Sequence, residues 1–551
     1  MRATVAATFL AGLAGITACA SSTDQGPDAP PVLQVTSPQR GATVDGDTLM
    51  VTGTATGGAG LTVSVNNTAV PVGKDGSFTA SVPATPGISI IETHAHDKAG
   101  HDVRDVRAVL AGTLAASDGT HAATIAAHAS PAALASIGKA VASDAKAVDY
   151  TAIATALNPV YNNGGCLGAV VNITSVSVGN IDVQLVPKAG ALATAVTIDN
   201  VVVKAHVDFK VACIGGSDTL TVSSSAAHLS GDLGVTVSGG KLVTSLPSAS
   251  VALDNFNLSV GGIPSSVVGL FEGTVKSKVQ TALQNAITSK VPPIANAKLA
   301  GLLAKPFDAK LLGVDSKLTV TPKTVTVATS GMLVAVDTKV AVTGGAGGVF
   351  LEQPAPDPSM LSSTTKDLGL AIANDVLNQL LAGLWAAGAF DKTVPIASVG
   401  PLAGLLDSDA TQLKVSISLP PTVQSDGTGN LQLAIGDAMI HVQDASGTDL
   451  QTIALSLQTG LAAGPTQSGT LSLALGTPTV YAQVLGQVDD GSRPLTDMQV
   501  EGIVTGVWGL VSQQAGDALG KLPMPAIAGV QLGAPTVDAV SNFVVADIPL
   551  N

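Results

Sequence analysis

Three histidines crowd one short stretch, His94, His96 and His101, with Asp97 among them. Imidazole and carboxylate are donors that hold divalent transition metals, and His94 and His96, two residues apart, would leave one face of a strand. The same string also fits the closing hairpin of a β-sandwich, so no ligand set is assigned and neither metal nor cofactor is expected. A second candidate for chemistry is a run of eight lysines from Lys276 to Lys323, against only Asp308 and Asp315. Such a patch could steer anionic headgroups, or it could be a solvated helix face and loop. Nucleophilic chemistry is not signalled: there is no G-x-S-x-G elbow, no phosphate-binding P-loop and no H-E-x-x-H. No enzyme is expected, although a catalytic triad can be scattered along a chain without leaving a motif.

The cysteines point to export. Arg2 precedes an apolar run from Val5 to Gly15, too short and too early for a spanning helix and suited to a secretory leader. The run ends in Ile16-Thr17-Ala18-Cys19, which resembles the lipobox of bacterial lipoproteins. The resemblance implies cleavage of residues 1–18 and acylation of Cys19, with the cell envelope as destination. A plain leader with a chance cysteine is the alternative. Two or more acyl chains hold a protein firmly to a membrane, and Ala20 after the cysteine favours the outer membrane under the usual sorting rule. Cys166 and Cys213 remain as an even pair in an oxidising compartment and are read as one disulfide, with Cys213 on a strand.

The 551 residues exceed one ordinary core, and their charge excludes a partner class. The formal net charge is −14, and Arg2 is the only charge before Cys19, so the mature chain is more acidic still. Phosphate binding needs a basic face, so nucleic acid is excluded as a partner. Charged residues make up only 12% and the mean hydropathy is +0.43. Either much of the surface faces an apolar filling, or the chain carries a bias toward small residues. The most apolar late segment, Leu368 to Phe390, is interrupted by Asn374, Asp375, Asn378 and Gln379 and does not read as a span.

Residues 19–30 form a polar, proline-containing tether. Residues 31–111 alternate in short strands split by turns, with Asp75-Gly76 suited to a hairpin. The strings TSPQRGATV, VTGTA and KDGSFTASV resemble bacterial Ig-like sandwiches. Beyond Gly112 the grammar changes. Ser130-Pro131 is an N-cap followed by proline at the first helical position, and Leu134, Ile137 and Val141 mark that helix's apolar face. Long alternating strands run from Val170 to about Val260. A second helix, Pro264 to Lys290, places Val268, Phe271, Val275, Val279, Leu283 and Ile287 at three- and four-residue steps. More strands and the stretch GGAGGVFLEQPAPDPS follow, and then the order repeats. Asn374 reads as a cap, Leu380 and Leu384 sit on the next helix, and Val500, Ile503 and Val507 on the last. The first helices, at Ile137 and Leu381, stand 244 positions apart, and the second, at Val268 and Ile503, 235. That is the mark of a duplication.

Four stretches carry a family resemblance: IAAHASPAALASIGKAV, GIPSSVVGLFEGTVKSKVQTALQNAI, KDLGLAIANDVLNQLLAGLWAAGAFD and KLPMPAIAGVQLGAPTVDAVSNFVVADIPL. They resemble the family of bactericidal/permeability-increasing protein, lipopolysaccharide-binding protein and the plasma lipid-transfer proteins, the tubular lipid-binding superfamily. The implied fold is α+β: a two-lobed tubular body of twisted antiparallel sheets wrapped round long helices and joined by a central sheet, behind an all-β Ig-like sandwich. Residues 112–345 would form the first lobe, 346–365 a Gly/Pro-rich linker and 366–551 the second lobe. The implied partners are phospholipids or other acyl lipids, held in slots between helix and sheet. Candidate slot residues are Val268, Phe271, Val275, Val279 and Leu283, with Leu380, Leu384, Ile503 and Val507, and plain core packing is the alternative for each. Members that recognise lipopolysaccharide have a strongly basic first lobe; this chain is acidic, with a single arginine after Arg107. Endotoxin capture is therefore not implied, and the cysteine pair would hold a different corner from the family's staple. The expectation is an anchored lipid-binding protein that could also transfer lipid. The rivals are a structural or adhesive surface protein with lobes filled by side chains, and an unrecognised hydrolase.

Overall fold

The structure is a computed structural model. It describes residues 29–303, 307–357, 361, 367–398, 404–428, 430–465, 470–487, 495–519, 522–523, 533, 536–540 and 542–550. The leader and Cys19 lie outside the described residues. The chain divides into a small unit, Met1–Ser37 with Met50–Val82 and Glu92–Asp105, and a large unit, Pro38–Leu49 with Pro83–Ile91 and Val106–Asn551.

The amino-terminal region is all β. One sheet runs Val32–Ser37, Thr48–Thr56, Ser77–Pro83, and the other runs Ala42–Val44, Asp102–Ala111, Gly87–His96, Thr62–Val65, Thr68–Val70. Period-two alternation turns one face of each strand inward, burying Val51, Val63, Val65, Phe78 and Ala95 in the small unit. Other segments of this region belong to the large unit and are fastened there by polar side chains. Gln424 is 0% exposed; its Oε1 accepts the Ile88 N–H at 2.7 Å and its Nε2 donates to the Ile88 carbonyl at 3.1 Å. The Asp437 carboxylate accepts the Ala108 N–H at 2.9 Å and pairs with Arg40 at 3.0 Å. Burial pushes the Asp437 pKa up, against the lowering by these donors.

A seven-stranded sheet forms the hub of the large unit. Its order is Phe307–Leu311, Val314–Ala328, Gly331–Val342, Thr120–Ala129, Leu368–Ala373, Phe543–Ile548, Thr536–Val540. The two middle strands pair antiparallel, with Ile125 opposite Ile372 and Ala129 opposite Leu368. Each is followed directly by a helix, Pro131–Ala145 or Asn374–Ala386, and each is flanked by the hairpin that ends its own half. The duplication read from helix spacing is thus visible in the strand order. Each half adds an antiparallel sheet and a long helix. In the first, strands Ala191–Val211 and Ile214–Ser238 pair from Leu192 opposite Leu233 to Val211 opposite Ile214, and helix Ser265–Ala300 lies against the sheet. In the second, the sheet runs Lys392–Pro395, Gln412–Ile417, Leu431–Gln443, Asp449–Pro465, Thr470–Gln487, Leu522–Pro523, with helix Asp497–Leu519 against it. The class is α+β, a β-sandwich region followed by curled antiparallel sheets with helices, as the sequence led us to expect.

Four local readings change. Helix Ser265–Ala300 continues past Lys290 through Pro292 and Pro293. Its buried stripe extends to Val291, Pro292, Ala295 and Leu299, and that burial outweighs the two lost backbone donors. Cys213 is not on a strand: Ala212 and Cys213, with φ of +50° and +65°, make a two-residue hairpin turn between Val211 and Ile214. Cys213 forms the expected disulfide there with Cys166. Asn374 does not cap its helix. It is the first helical residue, 1% exposed, and its side chain makes no capping bond. The Gly/Pro-rich stretch contains a strand, Val349–Leu351, paired with Leu114–Ala116, because Phe350 and Leu351 bury at 2% and 1% exposure.

Candidate functional site

Helix Asn374–Ala386 is held by three of the four polar residues that interrupt its apolar run, Asp375, Asn378 and Gln379. Asn378 donates to the Val423 carbonyl at 2.9 Å and accepts the Val423 N–H at 2.7 Å, completing the backbone of strand Thr422–Ser425. Gln379 accepts from Val340 N–H at 3.1 Å and donates to the Gly119 carbonyl at 2.7 Å. Trp385 Nε1 donates to the Ile417 carbonyl at 2.6 Å. Asp375 accepts the Gln353 N–H at 2.9 Å. Burial is the main force on that carboxyl: it pushes the pKa up to about 7, helped by the nearby Glu352 charge and opposed by the Gln353 donor. Buried polar groups that complete backbone bonding on several strands fix one orientation of a helix. The remaining face carries the leucines.

Those leucines line a cavity of about 310 Å³. Leu380, Leu381 and Leu384 come from the helix, and Ala389 and Phe390 from just beyond it. Leu433 and Ile435 come from the second-half sheet, with Pro421 beside them. Leu311 and Leu312 come from the hairpin at the hub's edge. Lys392 is the one charged lining residue. Lys392 and Leu312, the latter 45% exposed, mark where the cavity reaches solvent. At roughly 30 Å³ per methylene-sized group, about a water's share of liquid volume, a space of 310 Å³ holds some ten chain carbons.

The first-half seam is different. Phe271, Val275, Val279 and Leu283 are 0–4% exposed within the main core, and Val268 packs half-buried beside them. The space that Val279 and Leu283 share with Tyr150, Ile173 and Val203 is only about 10 Å³, room for one water. Ile503 is half-buried in a separate cluster with Ile453, Leu455 and Val500. Val507 falls on the same helix, its side chain outside the described set. The candidates therefore divide: Leu380 and Leu384 line open space, four first-half residues line closed core, and Ile503 belongs to neither place. Sequence reading missed Leu311 and Leu312, although a leucine at φ +50° followed by Gly313 is an unusual turn. It also missed Leu433 and Ile435, an alternating pair on one strand face.

Another cavity has polar walls as well as apolar ones. It measures about 470 Å³, lies near the disulfide and is lined by Asn163, Asp208, Lys210, Ser217 and glycines. The lysine run is dispersed. Lys298 is buried against Asp144 at 2.8 Å, Lys276 stands 5.2 Å over the Phe256 ring, and Lys323 lies 3.6 Å from Asp337. Among the histidines, His101 pairs with Asp97 at 2.8 Å, while His94 and His96 both face Asp102. Among the described residues no helix is long and apolar enough to cross a membrane.

The fold is α+β, with an apolar cavity beside a helix stapled by polar side chains. Comparison with known proteins bears on the two regions separately. Residues 31–113 match the family model of glucodextranase, domain B. The chain is similar to the crystal structure of lipopolysaccharide binding protein at 12% identity and a TM-score of 0.45, covering 78% of this chain and 99% of that one. It is similar to the solution structure of latherin at 14% identity and a TM-score of 0.19, over 31% of this chain and 85% of that one. A third likeness is to the Bacteroides ovatus mixed-linkage glucan utilization protein SGBP-B, at 11% identity and a TM-score of 0.12, over 42% of this chain and 64% of that one. No curated protein matches the chain.

Proposed function

We propose that this chain is an exported envelope lipoprotein, anchored through acylated Cys19, that binds the acyl chain of a lipid in the cavity beside Leu380 and Leu384. The observation that carries the reading is the cavity itself: about 310 Å³ lined by ten apolar residues and one lysine. Burying about ten methylenes contributes roughly 8 kcal/mol gross. Association costs at least about 4 kcal/mol, which leaves about 4 kcal/mol, so a single tail alone binds no more tightly than about 1 mM. Lys392 at the mouth favours a lipid with an anionic head. The hypothesis leaves the pocket residues no chemical step: they exclude water and fix depth.

The test is titration with a fluorescent fatty acid of ten to twelve carbons. Leu384→Trp projects a larger ring into the cavity and is expected to weaken binding while leaving the fold's circular dichroism unchanged. Equal affinity in wild type and variant would remove the pocket from the account. Fractionation of a Cys19→Ala variant tests the anchor: the protein should move from membrane to soluble fractions.

A second reading has its own support. Around Val279 and Leu283 the first-half seam has room for only about one water, as expected of a scaffold whose lobes are filled by side chains. In that reading the second-half cavity is a packing gap, and the chain carries a surface rather than a cargo.

A further inference from the structure

The pair of strands Gly87–His96 and Asp102–Ala111 carries a charge ladder on one face. Glu92, His94 and His96 fall on alternate positions of the first strand, with Asp102 and Arg104 on the second. Arg104 answers Glu92 at 3.6 Å, an ordinary cross-strand ion pair. The other end is not a pair. His94 Nδ1 is 3.1 Å from Asp102 Oδ1, and His96 Nδ1 is 3.4 Å from the same oxygen. The two imidazoles stack with planes 3° apart and centroids separated by 5.6 Å. One carboxylate oxygen thus faces the same ring nitrogen of two histidines, and all three donor atoms lie within 4.8 Å of one another.

We propose that His94, His96 and Asp102 form a binding site for a divalent transition metal of the Zn²⁺ class. Zinc bonds of about 2.1 Å to nitrogen and oxygen put tetrahedral ligand atoms about 3.4 Å apart. The two nitrogen–oxygen separations, 3.1 and 3.4 Å, lie close to that value. Imidazole binds a metal in its ring plane, so one of the two parallel rings must turn about χ2 for both nitrogens to meet one ion. Two imidazoles and one carboxylate leave a fourth position open, and the His96 and Asp102 side chains, 49% and 43% exposed, keep it accessible to water. Elsewhere histidine meets acid singly: His206 with Asp208, His228 with Asp254, His441 with Asp449. Among the described residues this is the one cluster of three such donors. His101 is excluded from the ligand set because its Nδ1 is engaged by Asp97, whose carboxylate also accepts the His101 N–H at 2.9 Å. The inference is independent of the acyl-chain reading, since every ligand lies in the small unit.

The experiment uses the chain from Ala20 onward, which has no free thiol to compete. After chelator treatment and dialysis, Zn²⁺ retention is measured by elemental analysis, and Co²⁺ serves as a visible-absorption probe of coordination. The expected result is one equivalent of Zn²⁺ per chain, with Co²⁺ bands of a four-coordinate site. His96→Ala and Asp102→Asn, both at exposed positions, should each lower affinity at least tenfold, whereas His101→Ala should leave it unchanged. Failure to retain Zn²⁺ at 100 µM free metal would overturn the proposal. So would retention that survives His94→Ala/His96→Ala, or an equal loss in His101→Ala.

Discussion

Replacing Asp375 by Asn should make the protein more stable as the pH rises. The carboxyl is 3% exposed, and burial holds its pKa at about 7 against an ordinary 3.8. Between those values the folded chain keeps a proton that the unfolded chain has released, so this group's contribution is full below about pH 4 and is lost as pH rises through 7. At about 1.4 kcal/mol per unit of pKa, the loss reaches about 4 kcal/mol by pH 8. Asparagine has the same shape, keeps an oxygen for the Gln353 N–H and does not ionise. The variant should therefore exceed wild type by about 1 kcal/mol at pH 4.5 and by about 4 kcal/mol at pH 8. Chemical denaturation followed by Trp385 fluorescence, in a Trp508→Phe background, reads the transition from the same helix. The other carboxylates titrate alike in both proteins and cancel. A stability gap that stays constant or narrows between pH 4.5 and pH 8 would refute the reasoning.

Three further outcomes follow from the packing. Phe271→Ala, at a fully buried first-half position, should cost about 3–5 kcal/mol in denaturation without altering fatty-acid affinity, because its seam is closed. Asn378→Ala leaves both backbone groups of Val423 unpaired and should cost about 2–4 kcal/mol, read by the same transition. Cys213→Ser opens a loop of 47 residues and should cost about 4 kcal/mol by the chain-entropy relation, measured against wild type with and without reductant.

Much of this architecture was legible because two periodicities do most of the patterning. Period-two alternation in the strands after Val170 and the three- and four-residue steps from Val268 to Ile287 gave sheets and helices their correct types. Ser130 accepts the Ala133 N–H at 3.2 Å, as the Ser-Pro start implied. Residues whose role depends on distant backbone were not legible. Asn378 and Gln379 looked like interruptions of an apolar run, yet they complete hydrogen bonds on strands far away in sequence. Nor could apolar stripes tell a filled seam from an open one. Phe271 and Leu384 have the same helical spacing, and only the residues opposite them decide whether space remains. Leu311 and Leu312 reach the cavity through a turn that no periodicity marks.

The central claim is that the second-half cavity takes an acyl chain. Mass spectrometry of organic extracts from the chain beginning at Ala20, which carries no acyl anchor, addresses it directly. With the protein equilibrated in excess single-chain anionic lipid, the account predicts acyl lipid retained above the level in Leu384→Trp. Extracts that are reproducibly free of lipid, from protein that has never met detergent, would contradict it and leave a tethered scaffold.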